Sequence, residues 1–317
     1  MDKRGAGQQF PAMTQILKAG VVGAGSFGGH HARKYAGMAD VELVGVFDPD
    51  AGRAQALAAE TGSAPFTDLA AMLALVDVVT VASPASTHAE TALAVLSAGK
   101  PAYVEKPLAT RLDDADKLVA MAARKGVPLA CGHQERVVSQ AMGLLDLPEA
   151  PILLESIRHQ PWGVRNTDVS CVLDLMIHDI DLALTMTGAE PLTVEADART
   201  THGPFIDQCE AEVTLADGCG LKLSASRISD ERQRRMRIVF PSGQVVVDFV
   251  ARTFVNTTPF ALNADFAETP AGRDPLGASV GAFLSAVRGE TARPQVTGEE
   301  AARALDLALA VEMAAGQ

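Results

Sequence analysis

Near the middle of the chain, one segment contains two acids and a histidine at helical spacing. Asp174, His178 and Asp181 stand at i, i+4 and i+7 within the segment Asp168 to Thr187, whose pattern predicts a helix. This spacing places the three side chains on one face. A carboxylate one turn from an imidazole can orient the ring and raise its basicity, as a general base requires. The spacing also fits an ordinary polar helix face; a metal site is less favoured because no His-x-x-x-His pair is present.

A lysine follows the fourth apolar run of the chain, in the tripeptide Glu105-Lys106-Pro107. Ligands of open α/β sheets bind beyond the carboxyl ends of the strands, so Lys106 is expected beside a ligand. A partly desolvated lysine can donate a hydrogen bond to a substrate oxygen or relay its proton. A surface lysine at a strand end is the alternative. Ser83-Pro84 ends the third apolar run and is expected beside the same cleft.

The elements that would position a cofactor begin with three glycines. Gly23, Gly25 and Gly28 follow an apolar run, and Asp48 ends the next apolar run 20 positions after Gly28. This is the context of a dinucleotide fingerprint, with glycines for the turn, the pyrophosphate approach and helix packing. A carboxylate at Asp48 accepts hydrogen bonds from ribose hydroxyls and repels a 2′-phosphate, which favours NAD over NADP. A glycine-rich turn that binds nothing is the alternative.

The first part of the chain alternates apolar runs with helical stretches, which predicts a doubly wound parallel sheet of the Rossmann type in residues 16–131. The predicted strands are Ile16–Val22, Val41–Phe47, Val76–Ala82, Pro101–Glu105 and Val127–Cys131. The predicted helices are His30–Met38, Gly52–Thr61, Asp68–Leu75, Thr87–Ala98 and Asp113–Lys125. Residues 1–15 are polar and are expected to form a flexible leader.

The pattern changes after residue 131. Two hairpin signals, at Asp217-Gly218 and Pro241-Ser242-Gly243, indicate an open, mostly antiparallel sheet. With the helical segment described above, this predicts an α+β domain over residues 132–317, and the uncovered face of its sheet is suited to oligomerisation. Its last helices are expected at Ala278–Arg288 and Glu299–Met313.

Composition limits the classes of partner. The net charge of −12 argues against nucleic acid and anionic membranes as main partners. Four cysteines without metal or disulfide spacing, and no apolar run of transmembrane length, favour a cytoplasmic protein without a metal. One basic cluster stands out, and it fits either a phosphorylated substrate or a solvated strand edge. It consists of Arg232, Arg234, Arg235 and Arg237.

Taken together, these motifs resemble the glucose–fructose oxidoreductase / inositol dehydrogenase (Gfo/Idh/MocA) family. The resemblance covers nearly the whole chain after the leader. It implies an N-terminal Rossmann domain that binds NAD and a C-terminal domain with an open sheet, through which homodimers or homotetramers form. The cofactor-binding residues that it implies are Gly23, Gly25, Ser26, Phe27, Gly28, Asp48, Ser83, Pro84, His88, Glu105 and Lys106.

The resemblance also implies roles in catalysis. His178 would be the general base on a substrate hydroxyl, Asp174 its support, and Lys106 a hydrogen-bond donor and proton relay. The implied reaction is hydride transfer from a sugar or polyol carbon to NAD. A non-catalytic NAD-binding sensor on the same fold is an alternative, and the presence of all three residues argues against it.

A narrower resemblance is to the branch of the family that oxidises the 3-hydroxyl of UDP-N-acetylglucosamine. It rests on residues 132–136, on Arg165 shortly before Asp168, and on residues 294–300. It implies that His133, Arg136 and Arg165 line the substrate cleft with Asp174 and His178. Val137-Val138 and Ser170 depart from that branch. Another polyol or inositol dehydrogenase is therefore the competing prediction.

Overall fold

The first sheet of the protein is parallel throughout. The computed structural model describes residues 16–163 and 167–316, so the leader and Arg165 lie outside the described residues. The strands are β1 Leu17–Val22, β2 Val41–Phe47, β3 Ala64–Phe66, β4 Val78–Val81, β5 Ala102–Val104 and β6 Leu129–Cys131. Their order, β3-β2-β1-β4-β5-β6, is the doubly wound order of a dinucleotide-binding fold. The predicted Rossmann sheet is confirmed.

One strand of this sheet escaped the sequence prediction. β3 is a three-residue edge strand with Pro65 at its centre. Because proline cannot donate to a ladder, it argues against a strand in sequence and is tolerated only at such an edge.

Five helices connect these strands. They are α1 Ser26–Ala36, α2 Ala51–Thr61, α3 Leu69–Leu73, α4 His88–Ser97 and α5 Leu112–Lys125. Side-chain caps fix two of the starts, since Asp50 accepts from the Arg53 N–H and Asp68 from the Ala70 N–H. Helix α1 begins at Ser26, four residues before its predicted start. Its N-terminus therefore lies directly at the glycine turn.

The remaining elements build the second sheet and its covering helices. They are α6 Glu135–Met142, β7 Leu153–His159, α7 Ile177–Thr187, β8 Pro191–Arg199, β9 Gln208–Leu215, β10 Gly220–Ser226, β11 Gln233–Phe240, β12 Gly243–Asp248, β13 Thr253–Asn256, α8 Pro270–Arg273, α9 Pro275–Val287 and α10 Gly298–Ala314. The strand order is β13-β12-β11-β7-β10-β9-β8. All neighbours are antiparallel except β7 and β10. The predicted mostly antiparallel sheet is confirmed.

The helix predicted over Asp168–Thr187 changes type along its length. Its first part, Val172–Met176, is a π-helix, and the α-helix begins only at Ile177. The Ser170 hydroxyl accepts hydrogen bonds from the Val172 and Leu173 N–H groups and so starts the segment before the π turn. Periodicity of apolar residues does not distinguish the two helix types over one turn, whereas π turns occur often at functional sites.

The C-terminal helices connect the two sheets. In α9, Val280 and Phe283 are fully buried in one core with Tyr103 of β5, whose hydroxyl lies 3.0 Å from the Ser279 Oγ. Helix α10 begins with a capping box between Thr297 and Glu300, and it packs against α5, α7 and β8. Residues after 131 thus pack against the first sheet as well as the second. Within the described ranges, no helix is long and apolar enough to cross a membrane.

Candidate active site

The glycine turn between β1 and α1 is built by close packing at two positions and by open space at one. Gly23 has a φ of +97°, and an added Cβ would lie 2.6 Å from the Ala82 carbonyl oxygen. A Cβ on Gly28 would lie 1.7 Å from the Gly23 carbonyl oxygen. A Cβ on Gly25 would meet nothing within 4 Å, and no side chain caps the helix there. The turn thus leaves room and free N–H groups for an anionic group at the start of α1.

Asp48 ends β2 beside this turn and is held by several donors. Its carboxylate accepts from the Ala24 N–H and the Asp50 N–H, both at 2.9 Å, and pairs with Arg53 at 2.9 Å. Burial alone would raise the pKa of Asp48, but the hydrogen bonds from Arg53 and the two backbone groups outweigh it and lower the pKa. The carboxylate is therefore ionised and fixed. The sequence did not predict a role for Arg53. It lies in α2, and its contact with Asp48 at the end of β2 depends on the path of the turn between them.

A cavity of about 310 Å³ opens between the glycine turn and the carboxyl ends of β4 and β5. Of the predicted cofactor-binding residues, all but Gly28 line it. His88 ties two of its walls together, since its Nδ1 lies 2.7 Å from the Pro107 carbonyl oxygen and its Nε2 lies 2.9 Å from that of Ser83. The open space at Gly25, the exposed start of α1 and the ionised Asp48 fit the pyrophosphate and adenosine ribose of NAD.

Glu105, the residue before Lys106, lines the same cavity. It is buried, and its carboxylate lies 2.7 Å from the His31 Nε2. Burial would raise the pKa of Glu105, but His31 and then Lys106 outweigh this effect and lower it. Glu105 and Lys106 line both this cavity and the next one.

Lys106 lies between the two cavities, and Asp174 holds its ammonium group. Its ammonium donates to the Asp174 carboxylate at 2.8 Å and to the Asp174 backbone carbonyl at 2.6 Å. Both acceptors lie in the π-helix, so the irregular turn positions the lysine as well as the acid. The structure thus brings together two predicted catalytic residues that are 68 positions apart in sequence.

His178 lines the second cavity, next to Lys106 and Asp174. Its Nδ1 is buried without a hydrogen-bond partner among the described residues, so Asp174 does not hold the ring through that atom. Burial lowers the pKa of His178 well below 6.5, and the nearby positive charges of Lys106 and Arg158 lower it further. The imidazole is therefore neutral near pH 7 and able to accept a proton.

Two of the predicted substrate contacts lie beneath the cleft rather than on its surface. Arg136 is 5% exposed, forms a bidentate pair with Asp181 at 2.6 and 2.7 Å, and contacts Glu300 at 2.9 Å. His133 is 1% exposed, and its ring centroid lies 6.0 Å from that of His178. Internal ion pairs and packing thus hold Arg136 and His133 in this structure, and their contact with a substrate stays a prediction. Asp181 was predicted to share a helix face with Asp174 and His178. It pairs with Arg136 instead and does not line the second cavity.

Other arginines line the second cavity, whose volume is about 740 Å³. Arg158 of β7 pairs with Asp179 and Glu135, each at 2.8 Å, and Arg227 pairs with Asp207 at 2.7 Å. The other two are Arg232 and Arg234, from the basic cluster noted in the sequence. Arg234 is opposite Arg158 in the β11–β7 register. Because side chains alternate along a strand, the sequence could indicate which arginines near β11 share a face of the sheet. It could not indicate that β7 is the neighbouring strand.

The other two arginines of that cluster have structural partners. Arg235 pairs with Asp248 at 3.0 Å on the neighbouring strand, and Arg237 pairs with Glu155 at 2.6 Å. The basic cluster is therefore divided, with two members in the cleft and two in ion pairs between strands. Within the described residues, no group of acids, histidines and cysteines could hold a metal ion.

Comparison with known proteins agrees with this geometry. Residues 17–133 match the model described as "Oxidoreductase family, NAD-binding Rossmann fold", and residues 149–246 match the "GFO/IDH/MocA C-terminal domain". The chain belongs to the Gfo/Idh/MocA family. It is accordingly an NAD-binding oxidoreductase, and the predicted family, fold class, enzyme class and cofactor are confirmed.

Relatives within the family differ in how much of the chain they match. UDP-N-acetylglucosamine 3-dehydrogenase from Acidithiobacillus ferrooxidans is 38% identical over 86% of this chain and 88% of its own length. A solved structure of that enzyme has a TM-score of 0.86 at 37% identity and covers 94% of this chain and 97% of its own. Inositol 2-dehydrogenase 2 from Saccharopolyspora erythraea is 32% identical over 59% of this chain and 58% of its own length.

Proposed function

We propose that this protein is an NAD-dependent dehydrogenase that oxidises the 3-hydroxyl of UDP-N-acetylglucosamine or of a closely related UDP-N-acetylamino sugar. The observation that carries the proposal is the placement of Lys106. It lies on the wall shared by the cofactor cavity and the arginine-rich cavity, bonded to Asp174 and beside the neutral imidazole of His178. The relative that matches most of the chain's length acts on a substrate of this class by its name.

The proposed mechanism divides the two hydrogens of the alcohol between the chain and the cofactor. His178 accepts the hydroxyl proton, because it is neutral and lines the cleft. Lys106 donates a hydrogen bond to the same oxygen, and Asp174 holds the lysine in position. Gly25 and Asp48 would hold the bound NAD, which would supply the acceptor for the hydride. The carbon–oxygen single bond becomes the double bond of a ketone as the proton passes to His178 and the hydride to the cofactor.

A substrate panel tests the proposal. UDP-N-acetylglucosamine, other UDP-sugars, free N-acetylglucosamine and inositols are each incubated with the protein and NAD, and NADH formation is followed by absorbance. We expect the highest kcat/KM with a UDP-N-acetylamino sugar and a product two mass units lighter. A preference for free inositol would replace this proposal with the polyol dehydrogenase alternative, and NAD binding without turnover on any sugar would favour the sensor.

We also propose that the protein forms a homodimer or homotetramer in the cytoplasm. The outer face of the second sheet exposes apolar side chains that include Ile157 and Val255, which are 39% and 63% exposed. Four free, buried cysteines are compatible with a reducing compartment. Light scattering of the purified protein tests the assembly, since a monomer at micromolar concentration would contradict it.

A further inference from the structure

Two arginines of the substrate cleft, Arg232 and Arg234, lack a close carboxylate partner among the residues that the structure describes. Arg158 and Arg227 are matched by buried acids, whereas Arg234 is only 3.9 Å from a Glu135 carboxylate that Arg158 already holds at 2.8 Å. Within the described ranges, Arg232 has no hydrogen-bond or ion-pair partner. The charges of Arg158 and Arg234 are balanced in number by Asp179 and Glu135, so Arg232 adds positive charge to the cleft, and neither Arg232 nor Arg234 is held by a carboxylate at close hydrogen-bond distance within the described residues. Such a pair is suited to a dianionic group, since guanidinium donors match phosphate oxygens.

A smaller pocket opens beyond Arg234. Its volume is about 280 Å³, and it shares Gln134, Glu135 and Arg234 with the substrate cleft. Beyond these shared residues its wall includes Val138 and the ring of Phe249, over which the Arg158 guanidinium lies at 5.9 Å from the centroid. Arg252 and Arg273 also line this pocket, and an aromatic ring among guanidinium groups is suited to a planar heterocycle.

The order of these features along the cavities matches the order of groups in a nucleotide sugar. His178 and Lys106 line the large cavity but not the smaller pocket, Arg234 lines both, and Phe249 lines only the smaller pocket. Moving away from the reacting groups, the lining residues are first His178 and Lys106, then Arg234, and then Phe249. A sugar, a diphosphate and a base follow one another in the same order.

We propose that Arg232 and Arg234 bind the diphosphate of the nucleotide-sugar substrate and that the pocket of Phe249 receives its pyrimidine base. This proposal rests on the proposed function for the identity of the sugar. Of the two arginines that the sequence placed in the cleft, Arg136 is held by Asp181 and Glu300, and Arg165 lies outside the described residues. The proposed arrangement also explains why an inositol, which has neither group, would leave this part of the cleft unused.

The arginines are tested with Arg232→Gln, Arg234→Gln and the double variant, in the presence of NAD. The matched control is Arg235→Gln, which removes the same charge from the adjacent position of β11, where Asp248 rather than the cleft is the partner. We expect KM for UDP-N-acetylglucosamine to rise about tenfold in each single variant, the effect of losing one charge-assisted hydrogen bond, with kcat changed less than the KM. The control should keep the wild-type KM. A double variant with an unchanged KM would overturn the proposal.

Binding of fragments separates the two subsites and does not depend on turnover. UDP and inorganic pyrophosphate are titrated calorimetrically into the protein with NADH. Both should bind the wild type, and both should lose affinity in the double variant. Phe249→Ala should weaken UDP by about tenfold and leave pyrophosphate unchanged, because only UDP has a base that can stack on the ring. Equal loss of both ligands in Phe249→Ala would overturn the base pocket.

These outcomes also separate this inference from the proposed function. Oxidation of UDP-N-acetylglucosamine with the same KM in the wild type and the double variant would refute the arginine site alone. Failure of the wild type to oxidise any UDP-sugar would refute the proposed function, and the UDP and pyrophosphate titrations would still decide whether the cleft binds diphosphates.

Discussion

The cofactor cavity and the substrate cleft are built in different ways. The cofactor cavity depends on backbone at residues 23–28 and on one carboxylate 20 positions later, all within a single β–α–β unit. The substrate cleft is assembled from side chains on α7, β7 and the β10–β11 region, and each of its buried cations is matched to an acid from elsewhere. The first region therefore tolerates little change in backbone and the second little change in charge.

The largest effect is expected where the two regions meet. His178→Ala and Lys106→Ala should each lower kcat/KM by about 10³-fold, within the usual 10²–10⁴ range for a proton-transfer group, because one removes the proton acceptor and the other the donor to the reacting oxygen. NADH affinity, measured by fluorescence titration, should stay near the wild-type value for His178→Ala, whose side chain does not line the cofactor cavity. Wild-type turnover in both variants would contradict the assigned roles.

A pair of identical substitutions probes the backbone side of the comparison. In Gly28→Ala the new Cβ would lie 1.7 Å from a carbonyl oxygen, so α1 must move away from β1. We expect a loss of unfolding free energy of about 1–3 kcal/mol, as for other overpacked sites, together with loss of NAD binding. Melting temperature and NAD titration measure the two effects.

Gly25→Ala is the matched variant. Its new Cβ meets nothing within 4 Å, and the φ of −80° is ordinary for alanine, so the melting temperature should not change. KM for NAD should nevertheless rise about tenfold, equivalent to 1.4 kcal/mol, because the methyl group occupies the space of the pyrophosphate. A Gly25→Ala protein with normal NAD affinity would show that the open space has another purpose.

The same contrast explains which parts could be predicted from sequence. Apolar runs, glycine spacing and Asp48 are local signals, and they predicted the Rossmann sheet and its cofactor cavity. The edge strand with Pro65 was missed because its stability comes from its neighbour β2. Arg136 was placed in the cleft because an arginine in a suitable motif looks available until its partners, Asp181 and Glu300, are known. Long-range charge matching has no signature in local sequence.

A smaller change is expected in the choice of cofactor. Asp48→Asn removes the carboxylate that repels a 2′-phosphate and releases Arg53 from its ion pair, so that the guanidinium can bind that phosphate. The ratio of kcat/KM for NADP to that for NAD should rise about tenfold, corresponding to 1.4 kcal/mol. Initial rates with each cofactor at saturating sugar measure the ratio. Asp50→Asn, at the start of α2 and outside the cofactor cavity, is the control and should leave the ratio unchanged.

The smallest effect concerns proton affinity in the cleft. Burial and nearby cations, Arg234 among them, hold the pKa of His178 well below 6.5. Because the neutral ring is the active base, kcat/KM should fall only when the pH drops well below 6.5 and His178 takes up a proton. Arg234→Gln removes one of those cations, so the pKa of His178 should rise and the acid limb of the pH profile should move to higher pH.

The Arg235→Gln control makes this shift specific to the cleft. That substitution also removes a positive charge from β11, but its partner is Asp248 and it does not line the substrate cavity. Its acid limb should coincide with that of the wild type. If Arg234→Gln raised KM for the sugar without moving the acid limb, Arg234 would contact the substrate without affecting the base. Arg234 would then act on binding alone, and the depressed pKa of His178 would come from burial and from the other cations, Lys106 and Arg158.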